Sequence, residues 1–171
     1  LRGVVRDAPM PPSGSDGFSV SWSSGSPRHL IITAHNDRGV LYGAFALLRR
    51  VALGEDVARI SERQEPAAPI RWVNHWDNLD GTIERGYAGR SIFFEGGRVL
   101  EDLARVRDYG RPLASVGING VAINNVNANP EVITDAFIPQ VARVADVLRP
   151  WGIATAVSID FSSPMRIGRL D

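Results

Sequence analysis

The sequence predicts an α/β protein in two parts: a short run of strands with one helix, then repeated strand and helix units of the kind that build a parallel sheet. Three observations predict it. Two segments, "SVGINGVAINNVNA" and "PWGIATAVSIDFSS", share one pattern at a spacing of about 35 residues. Each has Gly then Ile at the end of a helical pattern, a mostly apolar strand, and a polar finish. An earlier run, Ile70 to Trp76, reads as a strand of the same set. Between Glu55 and Pro69 the apolar periodicity fades into a stretch of mixed charge closed by two prolines, which marks the boundary between the parts.

In the first part, Phe18 to Trp22 and His29 to Ala34 read as two short strands joined by the loop "SSGSPR". A helix follows, with Asn36 or Asp37 as N-cap, Val40, Leu41, Ala44, Phe45, Leu48 and Val51 at helical spacing, and Gly54 as its stop. Gly39 and Gly43 lie four apart on one face. Each costs roughly 1 kcal/mol against alanine in a helix interior, so the pair predicts close packing of the helix on the sheet. "SGSDG" reads as a turn.

In the second part, glycine at the helix end takes a left-handed conformation without penalty, and the following isoleucine packs back on the helix while starting the strand. Val121 and Ile123, like Ala156, Val157 and Ile159, give the near-continuous apolar character of strands buried on both faces. Val99, Leu100, Leu103, Ala104 and Val106 fit one helical face, with a kink or break expected near Asp108 to Pro112, since an interior proline costs about 3 kcal/mol. The next helix has Pro139 in its first turn and ends at Pro150 and Gly152.

Composition narrows the chemistry. The 171 residues carry 19 basic and 19 acidic groups, so no basic face calls for nucleic acid. The basic residues are all arginine, which removes Schiff-base and Walker-lysine chemistry from this stretch. With no cysteine there is neither a disulfide framework nor a thiolate zinc site. His29, His35 and His75 lack metal-ligand spacing, and no dinucleotide, NTP, zinc-protease or serine-hydrolase motif occurs. Apolar runs fall well short of the roughly 20 residues that span a bilayer, so no membrane partner is expected. The N-terminal segment does not read as a signal peptide, and both ends read as cut from a longer soluble protein.

If strands end at Trp76, Asn124 and Asp160, then "WDNLDGTIERGY", "NNVNANP" and "DFSSP" emerge at one edge of the sheet. Ligands bind at the carboxyl ends of parallel strands, where loops vary while the sheet holds their roots. Trp76, Asp77, Asn78, Glu84, Arg85, Asn124, Asn125, Asn127 and Asp160 would line one mouth. An indole beside amides and carboxylates suits a sugar ring, which has an apolar face and a rim of hydroxyls. Arg85 suits an anionic substituent. Plainer roles stay open beside these: Trp76 as packing, Asp77 and Asn78 as turn caps, Glu84 and Arg85 as an ion pair, the asparagines as partners of loop backbone, and the histidines as structural groups.

The stretches "HWDNLDGTIERGYAGRSIFF", "SVGINGVAINNVNA" and "LRPWGIATAVSIDFSSP" resemble the opening of the catalytic barrel of the family 67 glycoside hydrolases, the α-glucuronidases. "DRGVLYGAFALLRR" is similar to the last helix of that family's N-terminal α/β domain, which is itself similar to the accessory domain preceding the barrel in β-hexosaminidases. The resemblance runs from His29 onward. It implies residues 1–66 as the C-terminal part of a small hexosaminidase-like α/β accessory domain. It implies 67–171 as the truncated start, about three strands, of a (β/α)8 TIM barrel.

The implied activity is inverting hydrolysis of 4-O-methyl-glucuronic acid α-1,2-linked to the terminal non-reducing xylose of xylo-oligosaccharides, with no metal or organic cofactor. The family's acid and base lie on later strands, so no catalytic residue is carried over, and this piece alone is expected to be inactive. Trp76 and Val126 resemble the residues that embrace the 4-O-methyl group. Asp77, Asn78, Asn125 and Asp160 are placed in or directly behind that pocket. The full-length protein is expected in the cytoplasm, with a homodimer as a conceivable assembly, and the alternative is a non-catalytic carbohydrate-binding α/β module. The chain departs from the family pattern at Gly110 and Pro112, and at Arg169 in "IGRLD".

Overall fold

The computed structural model describes residues 7–124 and 128–168. The chain divides into two compact units, the first reaching Pro69 and taking in Ala114–Gly117, the second formed by Ile70–Leu113 and the residues from Ile118 onward.

In the first unit, β1 (Phe18–Trp22) pairs antiparallel with β2 (Leu30–Ala34) and with β3 (Ser61–Gln64), in the order β2-β1-β3. α1 (Asp37–Ala52) begins at Asn36, whose side-chain oxygen accepts from the Gly39 amide at 2.7 Å. Asp16, inside the "SGSDG" turn, is buried and accepts from Arg38 at 2.8 Å and from Asn36 Nδ2 at 3.1 Å, so this turn also ties down the start of the helix. Close packing explains the paired glycines. A Cβ on Gly39 would meet Ala34 Cβ at 2.7 Å, and one on Gly43 would meet Ile32 Cγ2 at 2.5 Å.

The buried face of α1 differs from the expected apolar stripe. Gly39, Tyr42, Gly43 and Ala46 turn inward, while Val40, Leu48 and Val51 are exposed. Small residues win that face because they bring the helix axis close to Phe18, Val20 and Ile60. β3 had no sequence signal: "SERQ" lacks apolar alternation, and the strand is held by its ladder to β1 and by Glu62 against Arg50 at 2.6 Å.

The second unit is built on β4 (Trp72–Asn74), β7 (Gly120–Ile123) and β8 (Ala154–Val157), parallel throughout and ordered β4-β7-β8. Between β4 and β7 come the hairpin β5 (Phe94–Glu95) and β6 (Arg98–Val99), then α2 (Ala104–Ser115). Between β7 and β8 lie a 3-10 turn (Pro130–Ile133), α3 (Ile138–Leu148) and a second 3-10 turn (Arg149–Trp151), and after β8 comes the short α4 (Ser163–Ile167). The described residues thus form a mixed α/β domain on an open sheet, and the three strands do not close on themselves. Phe93, Phe94, Val106, Val121, Ile123, Val144 and Leu148 anchor its core.

The repeated Gly-Ile pattern has the predicted geometry. Gly117 (φ 81°) donates to Ala114 O, while Ile118 donates to Leu113 O. Gly152 (φ 67°) donates to Arg149 O, while Ile153 donates to Leu148 O. Both are left-handed helix ends with paired back-bonds.

Three expectations are corrected. α2 runs unbroken through Gly110 and Pro112. A Cβ on Gly110 would fall 2.4 Å from the Trp151 ring, so that glycine serves packing rather than a break. Val99 lies in β6, not on a helical face, because Gly96 (φ 56°) and Gly97 (φ 78°) make the two-residue hairpin turn that pairs Phe94 with Val99. β8 is half-buried rather than buried on both faces, since it pairs on one side only among the described residues, and Ile159 lies beyond it, exposed. No helix of the described residues is long and apolar enough to cross a membrane.

Candidate functional site

Parallel pairing sends the three strand ends to one edge. β4 stops at Asn74, two residues short of the expected Trp76, but the His75 amide still donates to Ala122 O at 2.8 Å and extends the ladder by one step. The following loop folds back on itself through a bridge between Asp77 and Ile83 and a Glu84 amide bond to Trp76 O at 2.9 Å. Two concavities open there.

The first, of about 310 Å³, is lined by His75, Trp76, Asp77, Glu84 and Tyr87, with Asn74, Ile83 and Ala88 completing its wall. Trp76 is 44% exposed, so it is not sealed in the core, whereas Asp77 is only 3% exposed. His75 Nδ1 stands 3.7 Å from an Asp77 carboxylate oxygen, and His75 Nε2 lies 3.2 Å from the Tyr109 hydroxyl. The imidazole meets Phe93 and Tyr109 edge-on, with ring centroids 5.0 and 5.4 Å away. Burial pushes the His75 pKa down, opposed by the Asp77 charge, and burial together with the same charge pushes the Tyr109 phenol up. Glu84 sits at φ 58° and accepts from the Tyr87 hydroxyl, which raises that phenol's pKa. Its side chain therefore has a partner other than the expected Arg85.

The second concavity, of about 600 Å³, is lined by Asn78, Leu79, Asp80, Asn124, Asn129 and Arg166. Most of its polar groups are engaged with one another or with backbone. Asn78 Nδ2 donates to Thr82 Oγ1 at 2.6 Å and to Glu84 O at 2.9 Å. The Asp80 carboxylate accepts from the Thr82 amide and hydroxyl, which lowers its pKa. Asn124, fully buried at φ 58°, donates to Asn129 O and Ser158 O at 3.0 Å and accepts from the Asn129 amide at 3.2 Å. It is a latch between two strand-end loops, the plainer of the roles open to it.

Asp160 lies at the head of α4. Its carboxylate accepts from the Ser162 hydroxyl at 2.6 Å and pairs with Arg166 at 3.0 Å; the hydroxyl first, and the guanidinium after it, lower its pKa. Asn125, Val126 and Asn127 lie outside the described residues, as does Arg169. Among the described residues no group of three or more His, Asp and Glu is placed to hold a metal ion.

Sequence reasoning passed over His75, Tyr109, Tyr87 and Arg166 as site residues. His75 carried a signal in its spacing to Asp77. Tyr109 carried none, because its partner is 34 residues away and only the fold joins them.

Residues 50–171 match the model of the glycosyl hydrolase family 67 middle domain. The chain belongs to glycosyl hydrolase family 67. It is 47% identical over 165 residues to a probable alpha-glucuronidase A of Aspergillus oryzae, covering 96% of this chain and 19% of that protein. It is 48% identical over 161 residues to alpha-glucuronidase A of Emericella nidulans, covering 91% of the chain and 18% of the relative. A probable alpha-glucuronidase A of Aspergillus clavatus is 43% identical over 169 residues, covering 98% and 20%. The chain therefore spans about a fifth of the length of these family 67 relatives.

Proposed function

We propose that this family 67 chain supplies one wall of the uronic acid pocket of an α-glucuronidase. The full-length protein would release 4-O-methyl-glucuronic acid α-1,2-linked to the terminal xylose of xylo-oligosaccharides. Residues 67–171 are then the opening strands of a (β/α)8 barrel, and residues 1–66 the end of an accessory α/β domain. One observation carries the reading: a half-exposed indole, Trp76, faces an open cavity beside the buried Asp77 carboxylate at the carboxyl edge of a parallel sheet. An indole covers the apolar face or methyl group of a sugar, and a carboxylate accepts from its hydroxyls.

In this reading Trp76 and, by the resemblance, Val126 take the methyl group, and Asp77 accepts from a ring hydroxyl. Asn78 and Asp160 hold the shape of the neighbouring loops through their own bonds, and Asn125 is assigned to the pocket by the resemblance alone. Inversion needs an acid and a base about 6.5–9.5 Å apart to admit water. We assign both to strands beyond Asp171, following the resemblance to the family, in which the acid and base lie on later strands.

The test is a titration of full-length protein with 4-O-methyl-glucuronic acid, followed by tryptophan fluorescence and calorimetry. Trp76→Ala should weaken binding by about tenfold or more, the loss expected for an aromatic anchor in a sugar site. Unchanged affinity removes Trp76 from the pocket. Hydrolysis of the xylo-oligosaccharide by the same protein separates the enzyme from a carbohydrate-binding module that would use the same cavity silently.

A further inference from the structure

From the wall of the Trp76 cavity inward, three side chains from two distant parts of the chain follow one another: Asp77, His75 and Tyr109. Only the first two line the cavity. Tyr109 comes from the middle of α2, and its hydroxyl reaches His75 Nε2 at 3.2 Å. The other ring nitrogen faces the Asp77 carboxylate at 3.7 Å, too long for a direct hydrogen bond but within range of a charge–dipole contact. A carboxylate only accepts, so the proton of the neutral ring belongs on Nδ1, and the Nε2 lone pair then accepts from the tyrosine. Phe93, fully buried, abuts the ring edge-on and restricts its rotation. A polar ring so enclosed is costly where its nitrogens lack polar neighbours; here Nε2 contacts the Tyr109 hydroxyl and Nδ1 faces the Asp77 charge.

We propose that Tyr109 and His75 are positioning residues for the sugar site. Tyr109 fixes the tautomer and orientation of His75, and the Nδ1–H edge of His75 holds the Asp77 carboxylate toward the cavity, where it accepts from a sugar hydroxyl. This rests on the reading of the cavity as the uronic acid pocket. Tyr109 touches no substrate, and its effect passes entirely through the imidazole.

The experiment uses the full-length protein. Its probes are free 4-O-methyl-glucuronic acid, read as Kd by calorimetry, and a xylo-oligosaccharide carrying that acid on its terminal xylose, read as KM and kcat. Tyr109→Phe keeps the ring packing and removes only the hydroxyl; it should raise Kd and KM about three- to fivefold with kcat within about twofold. His75→Gln sets its amide near the Nε2 position and loses the contact to Asp77, so a rise of about tenfold is expected. His75→Asn sets its amide near the Nδ1 position and should bring both constants back to within about threefold of the parent.

A purely structural histidine would lower Tm in all three variants and leave this ordering absent. The proposal is overturned if Tyr109→Phe and His75→Gln both keep Kd within about twofold, or if His75→Asn binds no better than His75→Gln. Trp76→Ala, run alongside, tells the two failures apart. If it weakens binding while the histidine and tyrosine variants do not, the positioning pair falls and the pocket stands. If it has no effect, the pocket reading falls and the pair with it.

Discussion

Two concavities open on the same edge of the parallel sheet, both with asparagine and aspartate in their walls, and these polar groups find their partners in different places. Around Asn124 the amides and carboxylates turn inward on the loops: Asn78 binds Thr82 and Glu84, Asp80 binds Thr82, and Asn124 joins residues 129 and 158. Around Trp76 a half-exposed indole, the Asp77 carboxylate and His75 line open space, with His75 3.7 Å from that carboxylate and Tyr109 in contact with the far side of the imidazole. Polar residues at a strand end therefore divide by where their partners lie. A group whose partners are the backbone of neighbouring loops shapes the site, and a group braced from behind keeps a face for the ligand.

The largest expected effect tests the structural side. Asn124→Ala removes three buried side-chain bonds and puts a Cβ-bearing residue without a capping amide at φ 58°. It should cost about 2–4 kcal/mol, read as a fall in the denaturant midpoint of the full-length protein. Asn124→Gly relieves the backbone but not the lost bonds, and should recover less than half of that. Little change in either variant would erase the contrast between the two cavities.

Next comes Trp76→Ala, expected to weaken 4-O-methyl-glucuronic acid binding about tenfold while moving Tm by only a few degrees. A large Tm loss with intact binding would move Trp76 to the structural side.

A smaller effect comes from pH. Burial holds the His75 pKa below its ordinary 6.5, so the unfolded chain binds a proton there that the folded chain refuses. The associated stability is present above pH 6.5 and is lost as pH falls from that value toward the depressed folded one. His75→Asn should flatten the stability profile in that window, and a slope unchanged by the substitution would show that another group titrates there.

The smallest effect is expected at Asp160. Its pKa is lowered by the Ser162 hydroxyl and by Arg166, so its contribution is present above the ordinary aspartate range and fades as pH drops through the lowered value. Asp160→Asn should shift the acid limb of unfolding slightly and leave sugar affinity near the parent value. A tenfold affinity loss would bring Asp160 forward into the pocket.

Much of the fold was legible in local signals. β1, β2, the Asn36 cap, the Gly-Ile helix ends and the parallel strands all rest on interactions within a few residues or on apolar periodicity. β3 was not legible because its identity lies in the backbone ladder to β1 rather than in "SERQ". The continuity of α2 was hidden because Gly110 answers to Trp151, far along the chain, and local rules saw only a helix breaker. At the site, Trp76, Asp77 and the strand-end asparagines stood out by residue type, but their division between two cavities depends on which carbonyls and amides the folded loops present. Tyr109 was invisible for the same reason: nothing near it in sequence points to His75.

The most direct measurement compares 4-O-methyl-glucuronic acid with unmethylated glucuronic acid by calorimetry on full-length protein and on its Trp76→Ala variant. One methyl group buried against the indole is worth about 0.8 kcal/mol, close to a fourfold preference for the methylated acid. The account predicts that this preference is present in the parent and collapses to near unity in the variant. A preference that survives the loss of Trp76 unchanged would contradict it.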